Sequence, residues 1–451
     1  MEEYELFLNG IDCFEKKINL IKNSKKNVFL CLLNFDLNLK INKNETLKDL
    51  FLKKANQGIK FYVLTPFLSN FKFKKCNYKQ IHPNINIKYI NYKNTNVLTN
   101  VVTKTIRYCI FKPVNYFLNS EKLCNIEKSF ICCDNNVHQR YMCVDDQKAL
   151  VSNTDFFEYN INSITDSKTN KFNKYWVEYG VFFKPRKDFI TYCYNNFSLD
   201  GKGFIQSDYI YGNFYHKNTE YNKILELIKN SKKSIYIENQ WLNSDESTKN
   251  IIIKELAYKI VESVKNNTDF KIIIYTNEFY NDDYNRFKKF SYYYFNYKKY
   301  LSILYLFRIF YKENIDIKDI DKRLFILNNK NTNIFIHNKV FIFDSEYMLV
   351  GSSNIWERSY TPKKDLELSI LLKGSKVKDS QKKLLKYCTG NYKNEFEENF
   401  IMKKIHKNFN YLKFFQNDLT YFELVKNRII ILLLIILIIT IIKLNKNNKL
   451  N

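Results

Sequence analysis

Ile336-His337-Asn338-Lys339-Val340-Phe341-Ile342-Phe343-Asp344, followed by Val350-Gly351-Ser352-Ser353-Asn354, is the stretch that decides how this chain is read. His337 and Lys339 are two residues apart, so on a strand they point to one face. Val340 to Phe343 carry that strand into an apolar core. A buried strand that brings His, Lys, Ser and Asn to one end makes a site of phosphate size. Lys supplies charge, Ser and Asn supply donors, and His attacks or shuttles a proton.

The same frame occurs 199 residues earlier. Val137-His138-Gln139-Arg140-Tyr141-Met142-Cys143-Val144-Asp145 is followed by Val151-Ser152-Asn153-Thr154-Asp155. The shift carries Arg140 onto Lys339, Asp145 onto Asp344 and Ser152 onto Gly351. It also carries Asn153 onto Ser352 and Asp155 onto Asn354. The chain has only five His, so two in one frame are a strong signal where a lone His-x-Lys is weak. His82, His216 and His406 have no framed partner and read as incidental, and Trp241 reads as a core residue.

The surroundings repeat too. Residues 11–35 read as helix then strand, 46–57 as helix, and 59–64 as strand. The order returns as helix 221–230, strand 234–237, helix 250–265 and strand 270–275. This predicts an α/β protein of two similar lobes, each a mixed, mostly parallel sheet flanked by helices. The expected divisions are residues 1–205 and 206–385 for the lobes, then a basic and aromatic connector at 386–424. Tyr292–Tyr297 reads as part of an amphipathic helix, with a lipid-facing wall as the functional alternative.

At 451 residues, with 45% hydrophobic and 26% charged, the chain is long and apolar enough to bury a sizeable core. Its net charge is +26, which suits nucleic acid, anionic membrane or phosphate-bearing substrates. A/T-rich coding is a second source of that excess, since Lys, Asn, Ile, Phe and Tyr abound beside only 9 Gly and 5 Pro. The 10 Cys have no paired CxxC spacing and read as free thiols of a reducing compartment. The acidic start, Met1-Glu2-Glu3-Tyr4-Glu5, lacks the pattern of a signal peptide.

The two motifs resemble the paired His-Lys-Asp motifs of the phospholipase D superfamily. Ser234-Ile-Tyr-Ile-Glu238-Asn-Gln240 looks like the strand between the motifs in eukaryotic-type members. Arg358-Ser359 and Asp365-Leu366-Glu367 are similar to the family's stretch after the second motif, and Trp176-Val177-Glu178 stands where the family often has Trp-His-Asp. Matching elements cover roughly residues 10–375. The resemblance implies a pseudo-twofold fold and a catalytic set of His138, His337, Arg140, Lys339, Asp145 and Asp344. In that set His138 attacks phosphorus and His337 is the acid and base, with no metal and no cofactor. Arg140, Lys339, Asn153, Ser352 and Asn354 would hold phosphate oxygens. Glu178, Asp365 and Glu367 are candidates for orienting the imidazoles, and Glu238 is a further site candidate. Asp145 and Asp344 read as braces for the strand and its turn. Two departures stand out: Arg140 replaces Lys, and Ser152 replaces Gly where close backbone approach would make a side chain strained.

Ile429–Ile442 is an unbroken run of apolar residues and Thr, with Lys426 and Arg428 before it and Lys443 after it. As a helix it is about 21 Å long at about 1.5 Å per residue, and flanking Leu, Val and snorkelling Lys extend it. Residues 425–445 are therefore expected to be a transmembrane tail anchor. The lobes would face the cytosol from the endoplasmic reticulum or the mitochondrial outer membrane. The expected partners are a phospholipid and its membrane; no protein partner is readable. The expected activity is hydrolysis of a glycerophospholipid such as phosphatidylcholine to phosphatidic acid. The alternatives are a nuclease of the same fold and a catalytically weak membrane protein.

Overall fold

Thr46 and Asp49 satisfy each other's backbone N–H groups, and this capping box starts a helix where the sequence predicts one. The computed structural model describes residues 1–8, 10–66, 81–90, 136–156, 175–244, 250–277, 286–328 and 334–389. Residues 1–398 form one compact unit. The proposed anchor at 425–445 and nearly all of the connector lie outside the described residues, as do the side chains of Tyr292–Tyr297. Among the described residues no helix is long and apolar enough to cross a membrane.

The first sheet contains β1 (Glu5–Phe7), β2 (Asn27–Cys31), β3 (Lys60–Pro66), β4 (Ile85–Ile90), β6 (Tyr141–Val144), β7 (Lys148–Ser152) and β9 (Gly180–Phe183), in the order β1-β9-β7-β6-β2-β3-β4. The second contains β10 (Ile210–Tyr211), β11 (Ser234–Asn239), β13 (Lys271–Thr276), β14 (Leu324–Asn328), β16 (Lys339–Phe343), β17 (Tyr347–Gly351) and β20 (Ser369–Lys373), in the order β10-β20-β17-β16-β11-β13-β14. The two orders correspond strand for strand, so the repeat in sequence is a repeat in topology. Helices α1 (Gly10–Lys22) and α2 (Leu47–Asn56) serve the first sheet as Glu220–Asn230 and Ile252–Lys265 serve the second.

The sheets are mixed but not mostly parallel. Each has four antiparallel and two parallel pairings. The motif strands β6 and β16 return through tight turns to β7 and β17, and a connection that short permits only antiparallel pairing. The helical crossovers from β2 to β3 and from β11 to β13 supply parallel neighbours. Both sides of the first sheet are apolar at its centre, and Phe51 of α2 stacks on Phe61 of β3 at 4.2 Å. Cys13, Cys31, Cys143 and Cys193 are free and buried. Burial pushes the Cys13 thiol up to about 12.

Asp145 and Asp344 stand past the far ends of the motif strands from the histidines. Each begins a turn with two residues in the left-handed region. The Asp145 carboxylate accepts the backbone N–H groups of Lys25, Lys26 and Asn27 at 2.7–3.2 Å. Asp344 does the same for Lys232, Lys233 and Ser234 at 2.7–2.9 Å. Grouped with the catalytic residues by the motif, both are engaged in tying a hairpin turn to the start of the neighbouring strand.

The concern over Ser152 is resolved by its neighbour. Gly351 faces Ser369 across β17 and β20, and a Cβ on Gly351 would lie 1.8 Å from the Ser369 hydroxyl. In the first sheet Ser152 faces Gly180. The small and the larger residue have exchanged strands, and Ser152 is not among the residues with positive φ. A second exchange lies beneath. Lys17, buried in α1, donates to the Thr154 carbonyl. Ser353, the counterpart of Thr154, instead donates to the buried Glu220 at 2.5 Å, and Ser369 donates to the same carboxyl at 2.7 Å.

Gly351→Ser is expected to lower stability by about 1–3 kcal/mol through overpacking. Adding Ser369→Gly should recover most of that loss in thermal unfolding, and no recovery would refute the size exchange. Burial pushes the Glu220 carboxyl up to about 8. The folded state therefore holds a proton that the unfolded chain releases, so this group's contribution falls as pH rises from about 4.5 to about 8. Glu220→Gln should flatten the decline in stability over that window; an unchanged pH profile of unfolding would count against it.

Candidate active site

His138 and His337 each precede a motif strand and follow a short one, β5 (Asn136–Val137) or β15 (Ile334–Ile336). Two other short strands, β8 (Tyr175–Val177) and β19 (Asp365–Leu366), precede Glu178 and Glu367. These four pair in parallel across the halves, β5 with β19 and β15 with β8. The His138 N–H donates to Leu366 O at 2.9 Å. Each histidine is thereby set beside the carboxylate of the other half.

His138 Nδ1 lies 2.8 Å from Glu367 Oε2, and His337 Nδ1 lies 2.7 Å from Glu178 Oε1. Both carboxylates are fully buried, and the histidines retain only slight exposure. Of the three carboxylates the sequence left open, Glu367 serves His138 and Glu178 serves His337. Asp365 is instead paired with Arg358, whose Nη2 donates to it at 2.9 Å.

Arg140 reaches back to its own motif histidine. Its Nη1 is 3.3 Å from His138 Nε2 and 3.2 Å from His138 O. A guanidinium only donates, so His138 Nε2 presents its lone pair and the ring proton sits on Nδ1. Glu367 therefore accepts from the ring as a carboxylate. It also accepts from Ser352 at 2.5 Å and Ser359 at 2.7 Å. Burial, then Asp365, pushes its carboxyl up, and these hydroxyl donors and Arg140 oppose that push.

The two cations are held differently. Arg140 Nε donates to Asp155 Oδ2 at 3.0 Å, and both side chains are buried. Asp155 is itself fixed by Leu33 N and Asn34 Nδ2. Lys339 Nζ donates to neutral acceptors, His337 O at 2.6 Å and Gln240 Oε1 at 2.8 Å. The departure at Arg140 thus comes with an acid at 155 where the second half has Asn354. Burial, then Arg140, holds Lys339 well below the usual lysine range.

Burial followed by Arg140 lowers the pKa of His138, and burial followed by Lys339 lowers that of His337. Each ring also feels the other motif's cation. Both imidazoles are therefore neutral near pH 7 in the free protein. Both polar atoms of the Asn153 amide and the Asn354 Oδ1 are buried without a hydrogen-bond partner in the protein. Ser352 is buried with its hydroxyl on Glu367. Glu238 accepts from the Tyr236 hydroxyl and from Asn338 Nδ2 at 2.9 Å, which secures the residue between His337 and Lys339.

Sequence reasoning passed over Asp155, Gln240, Ser359 and Lys17. Asp155 and Gln240 had a signal. The first falls on Asn354 in the 199-residue frame, and the second ends the Glu-Asn-Gln stretch. Ser359 stood in the quoted stretch with its partner Glu367, eight residues on, whereas Lys17 had no signal because its partner Thr154 lies across the fold. Among the described residues no group of three or more His, Cys, Asp or Glu is placed to hold a metal ion.

Residues 311–375 match a family model described as Phospholipase D, a span that includes His337, Lys339, Asp344, Ser352, Asn354 and Glu367. No curated protein matches the chain. Phosphatidylserine synthase of Haemophilus influenzae Rd KW20 is similar in structure over 92% of this chain and 94% of its own, with 13% identity and a TM-score of 0.54. Polyphosphate kinase from Porphyromonas gingivalis aligns over 91% of this chain and 55% of its own, at 10% identity and a TM-score of 0.48. Nuc, a phospholipase D family member from Salmonella typhimurium, aligns over 38% and 86%, at 18% identity and a TM-score of 0.24. At such identities the likeness concerns the fold alone, and only the first TM-score is high enough to support it. The second motif thus lies in a stretch that matches the Phospholipase D family model, and over nearly its whole length the chain has a fold similar to that of the phosphatidylserine synthase.

Proposed function

We propose that this protein is a phospholipase D-type phosphodiesterase. It hydrolyses a glycerophospholipid, phosphatidylcholine being the first to test, to phosphatidic acid and a free alcohol. The observation that carries the reading is the crossed pairing of two buried imidazoles with two buried carboxylates, beside Arg140 and Lys339.

In this reading His138 Nε2 attacks phosphorus and its Nδ1 proton stays with Glu367. Arg140 Nη1 moves from that lone pair to a phosphate oxygen. Lys339 takes a second oxygen, and the Asn153 amide supplies a donor that has no partner in the protein. His337, held by Glu178, protonates the leaving alcohol. It then removes a proton from water, which attacks the phosphohistidine and frees His138. His337 must carry a proton for the first step. Burial and the two cations oppose that proton in the free protein. A bound phosphodiester anion offsets the cations and restores it.

The lipid assignment draws on the apolar run within residues 425–445, which we propose as a membrane anchor with the catalytic lobes on the cytosolic side.

Incubation with phosphatidylcholine and a primary alcohol should yield both phosphatidic acid and the phosphatidyl alcohol, because a covalent intermediate passes its lipid to either acceptor. Cleavage of single-stranded DNA or RNA without lipid turnover would move the assignment to a nuclease. His138→Ala and His337→Ala should each lower turnover about a thousandfold or more. Full activity in either would refute the paired mechanism. Deleting residues from Val425 onward should move the protein from the membrane to the soluble fraction. Retention in the membrane fraction would remove the anchor.

A further inference from the structure

One group of exposed lysines and rings lies directly beside the His138 bridge. Lys202 and Lys363 both sit over the Tyr215 ring, at 5.3 and 5.7 Å from its centroid. Lys217 sits over Phe204 at 5.9 Å. Phe204 is 39% exposed yet anchored edge-on against the buried Phe214 at 5.4 Å. One apolar ring, one phenol and three ammonium groups thus cluster together.

The backbone ties this face to the site from both sides. Gly201 packs against Val137, the residue before His138, and a Cβ there would meet Val137 at 3.5 Å. Lys363 occupies a turn, with φ at 67°, two residues before Asp365 in β19. The Asn213 amide fastens that turn by donating to Thr361 O and Asp365 O, each at 2.8 Å. Nearby carboxylates are committed elsewhere, Asp200 to Lys88 at 2.9 Å and Asp365 to Arg358. Among the described ion pairs, none of the three lysines meets a carboxylate.

We propose that this face, formed by Lys202, Lys217, Lys363, Phe204 and Tyr215, docks the protein on an anionic phospholipid surface and sets the His138 side of the site against it. The proposal rests on the lipid reading above and adds where the bilayer is met. Lysine ammonium groups reach lipid phosphates while aliphatic stems and rings lie at the level of the headgroups. Single-stranded nucleic acid fits less well. It needs open ring faces for base stacking, and here the faces of Tyr215 and Phe204 carry ammonium groups.

The test uses the full chain and the charge-reversed variant Lys202→Glu, Lys217→Glu, Lys363→Glu. A variant with the same change in net charge elsewhere, Lys53→Glu, Lys148→Glu, Lys318→Glu, is the control. Binding is read with vesicles of phosphatidylcholine alone and of phosphatidylcholine with phosphatidylglycerol. Turnover is read on the same vesicles and on a soluble short-chain phosphatidylcholine. The face variant should bind anionic vesicles at least about tenfold more weakly than the control variant. It should lose vesicle turnover in step while keeping turnover of the soluble lipid. Equal vesicle binding by the two variants overturns the proposal, and so does an equal loss on soluble lipid, which would mark a structural defect. If the unaltered protein turns over no lipid, the functional reading fails, and the binding comparison still decides the docking face. Loss of single-stranded DNA binding with vesicle binding intact assigns the face to nucleic acid and overturns the proposal.

Discussion

Each histidine is oriented by a carboxylate from the opposite half, across sequence separations of 229 and 159 residues. On this crossing the rest of the structure depends. A fully buried carboxylate is strongly unfavourable unless its lone pairs are met, and Glu367 meets two serine hydroxyls as well as the ring. Either half alone would keep a histidine with no orienting acid and a glutamate with no ring. The two parallel bridges, β5 with β19 and β15 with β8, bring backbone pairing to the same place. Stability and site geometry are therefore set by the same few contacts, all of them non-local. Such contacts require loop closure before they return any energy, so the halves must dock before the site exists.

The halves have diverged in matched sets rather than at single positions. Ser152 opposite Gly180 mirrors Gly351 opposite Ser369. Arg140 with Asp155 stands where Lys339 has Gln240 and the frame has Asn354. Thr154 meets the buried Lys17 where its counterpart Ser353 meets the buried Glu220. In each set a change that would be strained or uncompensated alone is accommodated by its contact. Ser152 and Arg140, the two departures that looked most damaging in the sequence, are both of this kind. Their physical meaning lies in Gly180 and Asp155, not in their own side chains.

This explains what was legible. The frame of 199 residues joins residues on equivalent strands, where spacing is rigid, and it located both histidines, both cations and both bracing aspartates. The orienting acids follow a different shift, 189 residues from Glu178 to Glu367, because the connections between the motif strands and these acids differ in length. Their identity was readable from the resemblance, but which ring each served depended on the crossing of the halves. The sheets were read as mostly parallel because helix-to-strand alternation is a loud signal. A hairpin turn such as Val144-Asp145-Asp146-Gln147-Lys148 contains no Gly and is quiet, although two of its residues take positive φ. Lys17 gave no sign at all, since a lysine on a helix normally faces water.

That buried lysine completes a balance of charge. Lys17, Arg140 and Lys339 are formally three cations, and Asp155, Glu178 and Glu367 are three anions. Arg358 and Asp365 cancel each other. The interactions link the sets across both halves: Lys17 feels Asp155, Glu178 and Arg140, while Lys339 feels Arg140, Glu178 and Glu367. With both imidazoles neutral, these formal charges sum to zero. A phosphodiester brings one negative charge into it. In a region of low dielectric a lone charge is costly, and uptake of one proton is the direct remedy. The two imidazoles are among the groups that can take that proton. One of them, in the proposed reaction, must be protonated to release the alcohol while the other stays neutral to attack. A centre balanced before binding is therefore suited to a singly charged diester. In the proposed reaction it recruits a single proton with its substrate, which reconciles a buried histidine of lowered pKa with the proposed role as general acid.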